Sequence, residues 1–153
     1  MAETGGLTIR QHVRHDLDMR VEFVIDSNHQ RQVAFASSAG VVDTHTLAAR
    51  TLDLSAGGAG LSSQKFLPRG CRGTLRILDP KPVSYRPDGS PVHEVMFEHR
   101  VQVRRVYLTG HEPSYFLGLT FLDPEPNLSS RIDDVFKMAE AHDQFHPKEA
   151  DAA

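Results

Sequence analysis

The stretch TLDLSAGGAGLSS, Thr51 to Ser63, places three glycines within four positions directly after a strand-like run. Side chains on a strand alternate between its faces, so Asp53 and Ser55 project from one side, while Gly57-Gly58 lets the backbone turn and approach a ligand closely. A segment that buries so little is spent on something other than a core. Working outward, VVDTHTLAARTLDLS (41–55) is a long β-rich stretch ending at these glycines, and GLSSQKFL (60–67) resumes an extended pattern before PRG (68–70) turns. Upstream, LDMRVEFVI (17–25) alternates Leu17, Met19, Val21, Phe23 and Ile25 against Asp18, Arg20 and Glu22, the period of a half-buried strand. DSNHQ (26–30) reads as a turn and QVAFASS (32–38) as a shorter strand. Downstream, TLRILD (74–79) is a further strand, and the proline-rich DPKPVSYRPDGSP after it is expected to be a loop because proline cannot supply ladder donors. VHEVMFEHRVQVRRVYL (92–108) is long enough for a bent strand, with a β-bulge expected where Arg104 and Arg105 break the alternation, and GHEP (110–113) closes a hairpin into SYFLGLTFLD (114–123).

The last element follows a different period. Leu128, Ile132, Val135, Phe136 and Ala139 recur at helical spacing after the capable caps Asn127, Ser129 and Ser130, with Asp133 and Asp134 expected near the positive end of the helix dipole. The pattern predicts a mainly all-β fold: a small antiparallel Greek-key barrel of six or seven strands with one C-terminal amphipathic α-helix on its surface or across one mouth. Residues 1–9 read as a flexible leader, 10–145 as the domain, with an insert near 26–40, and 146–153 as a disordered tail.

At 153 residues the chain is one domain of ordinary size. A hydrophobic content of 39% with 24% charged residues is globular, and no apolar run reaches the roughly 18 residues a spanning helix needs, so no membrane insertion is expected. The single Cys71 and the absence of a secretory pattern in MAETGGLTIRQHVR point to a cytoplasmic setting. Seventeen basic against twenty acidic residues give a net charge of -3, the wrong sign for a protein that coats DNA or RNA by displacing counterions. Any bound anion should be small and held by a local cluster.

Such a cluster is written in two pieces. Arg10 and Arg14, four apart in RQHVR, carry planar, always-charged guanidinium groups whose parallel N–H donors fit phosphate oxygens or the O6/N7 edge of guanine. In DLSAGG, the Asp53 carboxylate can accept from a guanine amino and imino edge, and the Ser55 hydroxyl can donate to phosphate. Taken singly, each piece reads as well as a solvated terminus or a strand ending in an Asx or Ser turn. Together they spell R-x-x-x-R followed by D-x-S-x-x-G, and on these residues the chain resembles a PilZ domain, the bacterial receptor module for cyclic di-GMP. The match lies on Arg10 and Arg14, then on Asp53, Ser55 and Gly58. It extends to the order of strands, to the FLGLTFLD strand and to the terminal helix. Two features depart from the family: the Arg14-to-Asp53 segment is longer, and Ile9 stands where many members double the first arginine.

The resemblance implies a receptor or adaptor that binds cyclic di-GMP at these five positions, orders its R-x-x-x-R segment on binding and relays the signal to an effector protein not identifiable from the chain, or through a homodimer. The alternative is a PilZ-like protein-interaction module that does not bind nucleotide. No catalysis, cofactor or metal is expected. His142 and His146 have the spacing of a zinc pair but no catalytic glutamate beside them; His12 with His15, or His93 with His99, make no site without invention. Cys71 in RGCRG, near Arg69 and Arg72, has no base or oxyanion arrangement and reads as a semi-exposed loop thiol. Arg100, Gln102 and Arg104 share a strand face that reads as solvated, as a partner surface, or as an extension of the anion site, with Val101 and Val103 inward.

Overall fold

The computed structural model describes residues 15–30, 33–35, 41–110, 114–141 and 145–146. Within them LDMRVEFVI keeps its alternation but is cut in two, as β1 (His15–Leu17) and β2 (Arg20–Ile25). Met19, Val21, Phe23 and Ile25 are buried, and the residues between them are exposed or half-buried. The 41–55 stretch is a hairpin of β3 (Val41–Asp43) and β4 (Thr46–Ser55), its turn closed by the Asp43 carboxylate accepting the His45 backbone N–H at 2.9 Å, a bond that holds this carboxyl below its ordinary range. Then come β5 (Gly58–Ser63), β6 (Arg72–Tyr85), β7 (Pro91–Gly110), β8 (Ser114–Phe121), α1 (Leu128–Ala141) and β9 (Phe145–His146).

Antiparallel pairing runs β2-β6-β7-β8-β5-β4, and β2 also pairs with β4, so six strands close into a ring. The expected mainly-β fold with a C-terminal helix is present. Among the described residues there are nine strands, more than the six or seven expected, because β1, β3 and β9 are short additions outside that ring. Strands β5 and β6 are not neighbours, so residues 64–71 must cross between them. That crossing buries Leu67 and Cys71 and is pinned to β7 by Gly70 N–H to the Val103 carbonyl (2.7 Å) and Val103 N–H to the Cys71 carbonyl (2.9 Å).

One buried hydroxyl governs how the strands share β4. β2 pairs with residues 46–50 of β4 and β1 with 53–54, and between them Thr51, 1% exposed, faces the chain break at Met19. Thr51 Oγ1 accepts the Met19 N–H at 2.8 Å, and the Thr51 N–H donates to the Met19 carbonyl at 2.9 Å. The side chain thus satisfies a backbone donor that the broken ladder would leave buried and unpaired.

Three expectations need correction. The strand expected at 32–38 is not formed at Val33–Phe35, the part that is described; Phe35 is buried and its N–H reaches the Thr44 carbonyl at 2.9 Å instead. The proline-rich segment is a turn only over residues 86–90; from Asp79 to Tyr85 it is strand, because β6 runs on in a ribbon with the first residues of β7. β2 pairs with β6 only as far as Ile77, so Pro80 and Pro82 sit on an edge that needs no N–H, and the register slips around Pro82. Cys71 is buried, not semi-exposed: desolvation, with a smaller contribution from the Asp26 charge, pushes its thiol up to about 11.

The helix matches its pattern. Leu128, Ile132, Val135 and Ala139 join the strand side chains in one core cluster, with Phe136 packed against it. No acidic side chain stands in the first turn, so Asp133 and Asp134 lie further from the helix start than expected. Arg131 fastens the helix to β7, donating to the Glu98 carbonyl at 2.7 Å and to Glu125 at 3.1 Å while its guanidinium lies 4.8 Å from the Phe97 ring centre. The leader and the hairpin tip 111–113 lie outside the described residues, as does the tail beyond His146, whose own backbone pairs with Asp16.

Thr51→Val keeps the shape but strands the Met19 N–H, and should lower the unfolding free energy by about 1–3 kcal/mol in urea denaturation. An unchanged midpoint would show that the hydroxyl contributes nothing. The Cys71 thiol titrates at about 11 when folded against 9.0 as a free group, so the folded state holds the extra proton and stability should fall as pH rises from 9.0 towards 11. Urea midpoints measured across that window should lose this component of their slope in Cys71→Ala.

Candidate functional site

Two bulges decide which charges face outward. On β4, Leu47, Ala49 and Thr51 are buried in strict alternation, which would put residue 53 inside next. The register against β5 shifts between Thr51 and Asp53, so Leu52 becomes an extra, 46% exposed residue, Leu54 takes the inward place and Asp53 turns out. On β7, Val101 and Val103 are inward, as expected, and residue 105 would follow. The expected bulge is there: the register against β8 shifts between Val103 and Arg105, and Arg104 and Arg105 are both exposed. A guanidinium on the core face would have been an unpaired buried charge, which the bulge avoids.

The two turned-out residues stand on one line across the sheet. Asp53 is opposite Gly60, Gly60 opposite Gly118, and Gly118 opposite Arg105. Between them lies an open cleft of about 220 Å³, lined among others by Asp53, Ser55, Gly58, Arg104, Arg105 and Phe116. That is below the roughly 300–1,000 Å³ of a pocket that encloses a drug-sized ligand, so these residues make one wall of a site.

The motif side chains have work within the fold. Asp53 Oδ1 accepts the Gly60 N–H at 3.0 Å, and Ser55 Oγ accepts the Gly57 N–H at 3.2 Å, closing the β4–β5 turn. A Cβ on Gly58 would sit 1.9 Å from the Leu119 carbonyl oxygen, so the bareness of this glycine lets β8 approach. A Cβ on Gly60 would meet Asp53 Oδ1 and Phe116 Cε1, both at 3.0 Å. Arg10 and Arg14 lie outside the described residues. The chain that follows them does not: β1 pairs with β4, His15 opposite Leu54 and Asp16 opposite Asp53.

Charge pairing separates the arginines into two groups. Arg50 is paired with Asp18 (2.6 Å), Arg76 with Glu98 (2.7 Å), Arg131 with Glu125 (3.1 Å) and Arg100 with Asp26. The charge of Arg100 is thereby offset by Asp26, unlike that of Arg104. Among the described residues the side chains of Arg104 and Arg105 make no hydrogen bond or ion pair. Sequence reasoning marked the paired arginines as a bulge but did not bring Arg105, Phe116, Gly60 or Gly118 to the D-x-S-x-x-G motif. The alternation break at Arg104-Arg105 was the available signal. Among the described residues no group of three His, Cys, Asp or Glu side chains could hold a metal ion, His142 lying outside them, and no helix is long and apolar enough to cross a membrane.

The family model for the PilZ domain matches residues 8–136. No curated protein matches the chain. Among solved structures, the PilZ domain of YcgR from Escherichia coli, determined with c-di-GMP, is similar at a TM-score of 0.53 and 16% identity, covering 95% of this chain and 100% of that one. The Bacillus subtilis inhibitor of motility MotI/DgrA is similar at 0.53 and 14% identity, over 89% of this chain and 53% of its own. A tetrameric PilZ domain protein from Xanthomonas campestris is similar at 0.50 and 14% identity, over 88% of each chain. At these identities the likeness is one of fold.

Gly58→Ala should destabilise the protein in the absence of any ligand by about 3 kcal/mol, the upper end of the usual overpacking range, because the clash is with backbone. A wild-type thermal midpoint in this variant would show that the approach of β8 does not depend on a bare residue 58.

Proposed function

We propose a function from one premise: this chain belongs to the PilZ domain family. The protein is a receptor or adaptor for cyclic di-GMP, without catalytic activity of its own, and passes the state of its site to a partner protein. The ligand sits in the cleft between β4 and β7, where Asp53 takes a guanine edge and Ser55 contacts the nucleotide beside the turn that Gly58 makes possible. Arg10 and Arg14 close over it.

The observation that carries this reading is the pairing of β1 with β4. Arg14 is bonded to His15, and His15 is opposite Leu54, between the two polar residues of the second motif. Chain continuity through His15 thus supports bringing R-x-x-x-R to D-x-S-x-x-G, although 39 residues lie between Arg14 and Leu54 in the sequence. The YcgR domain, whose structure contains c-di-GMP, shares the fold and supports the choice of ligand. Ordering of the arginine segment on binding would alter the surface beside β1 and so the contact offered to a partner.

A second reading, an interaction module that binds no nucleotide, is favoured by the fold roles of the motif: Ser55 and Asp53 each hold a backbone N–H, and Gly58 makes room for Leu119. Calorimetry separates the two. The receptor binds cyclic di-GMP in preference to GTP and cyclic GMP, and Arg14→Ala removes a charge-assisted contact worth about 1.5–3 kcal/mol, weakening binding roughly ten- to a hundredfold. Absence of binding by the wild type would establish the second reading, and an unchanged Kd in the variant would remove Arg14 from the site.

A further inference from the structure

In a chain of net charge -3, Arg69, Arg104 and Arg105 gather without a carboxylate partner among the described residues. The gathering is built by the fold. The crossing segment that carries Arg69 is hydrogen-bonded at Gly70 and Cys71 to Val103, the residue immediately before the bulge, and the bulge turns Arg104 and Arg105 outward together. These two arginines stand between the cleft at Asp53 and a second, larger hollow of about 410 Å³ lined by Phe66, Arg69, Val106 and Tyr107, which contains no acidic residue.

The floor between Asp53 and Arg105 is apolar because two glycines and a phenylalanine ring make it. Gly60 and Gly118 lack the side chains that would stand there, and the Phe116 ring occupies the space instead, with Cε1 3.0 Å from a Cβ built on Gly60 and Cε2 3.1 Å from one built on Gly118. Phe116 is itself stacked on Tyr107, ring centres 4.9 Å apart and planes at 20°. The Arg105 stem lies over Gly118, its Cβ 3.2 Å from where that residue's Cβ would be. Asp53 and Arg105 are three strand spacings apart, about 14 Å between backbones, and both side chains reach inward over the floor.

We infer that the Arg104–Arg105 bulge is an anion subsite that holds a phosphate of the guanine nucleotide at the opposite side of the cleft from Asp53, with the Phe116 ring as the apolar floor beneath the purine. The inference rests on the receptor reading above and adds to it residues outside both sequence motifs. The division of labour follows from the groups: a carboxylate accepts from the N–H edge of guanine, an aromatic face receives the base, and a guanidinium fork takes phosphate oxygens. Arg105 is the principal donor because its stem is held over Gly118.

The test is calorimetry with cyclic di-GMP at two salt concentrations on the wild type, Arg105→Gln and Arg105→Lys. Arg105→Gln keeps methylene stem over Gly118 and removes the charge at an exposed position, so its thermal midpoint should match the wild type. Its Kd should rise at least about tenfold and its salt dependence should flatten, while Arg105→Lys recovers part of the affinity. A wild type that binds, beside an Arg105→Gln protein with the same Kd and salt slope, overturns the subsite and leaves the receptor reading standing. A wild type that does not bind overturns both.

Discussion

Strand β4 has to serve four neighbours, and the buried hydroxyl of Thr51 is where two of them, β2 and β1, change over. β2 takes its first half and β1 its end, with the change of partner falling at Met19 and Thr51, while β3 pairs with Thr46 and Leu47 and β5 with Arg50–Ser55. A strand pair cannot end inside a core without leaving a backbone donor unsatisfied, and such a group costs about as much as a lost hydrogen bond. Thr51 accepts the Met19 N–H and so allows the chain to leave β1, pass a two-residue break and re-enter as β2 on the same strand. Ring closure through β2–β4 and the docking of β1 beside the glycine turn are both consequences of that substitution of a side chain for a ladder bond.

The same place supplies the site. Once β4 is committed inward at Thr51, the extra residue Leu52 reverses the parity of everything after it, and the polar Asp53 leaves the core side. β7 repeats the device: the extra residue after Val103 reverses parity so that Arg105 leaves it too. The two bulges lie on strands separated by β5 and β8, and the positions between them on the line from Asp53 to Arg105 are glycines. A carboxylate and a guanidinium are thereby presented on one surface, their backbones three strand spacings apart, with the Phe116 ring between them. Local irregularity in strands that are otherwise regular is what turns both charges to the outer face here.

The large features were legible because they rest on period. The alternation of Val21, Phe23 and Ile25 and the helical spacing of Leu128, Ile132, Val135 and Ala139 reappear as one core. The bulge at Arg104-Arg105 was legible because two adjacent charges cannot both be explained by an alternating strand. The bulge at Leu52 was hidden: TLDLS looks like a regular strand with both leucines on one side, and only the buried Thr51 and exposed Leu52 show the shift. The strand through Asp79–Tyr85 was hidden for the opposite reason, since proline forbids a ladder bond only where a neighbour asks for one, and which edge is free is a property of topology. The burial of Cys71 likewise depends on the β5-to-β6 crossing, which no local pattern announces.

The motif D-x-S-x-x-G is less diagnostic of ligand binding than its spelling suggests, and the structure gives the reason. Gly58 is required by the approach of Leu119, Ser55 by the turn at Gly57, and Asp53 by the N–H of Gly60, so a protein that had lost its ligand would still be under physical pressure to keep all three. Unpaired cations carry the opposite logic. Arg50, Arg76, Arg100 and Arg131 each offset their charge with a carboxylate and so contribute to holding the fold, whereas Arg104 and Arg105 offset theirs with nothing among the described residues and are held outward by a bulge that a neutral residue would not need. A charge that the fold positions but does not use is better evidence of a ligand than a motif that the fold cannot do without, and it is on β7, away from both motifs, that this chain keeps such charges.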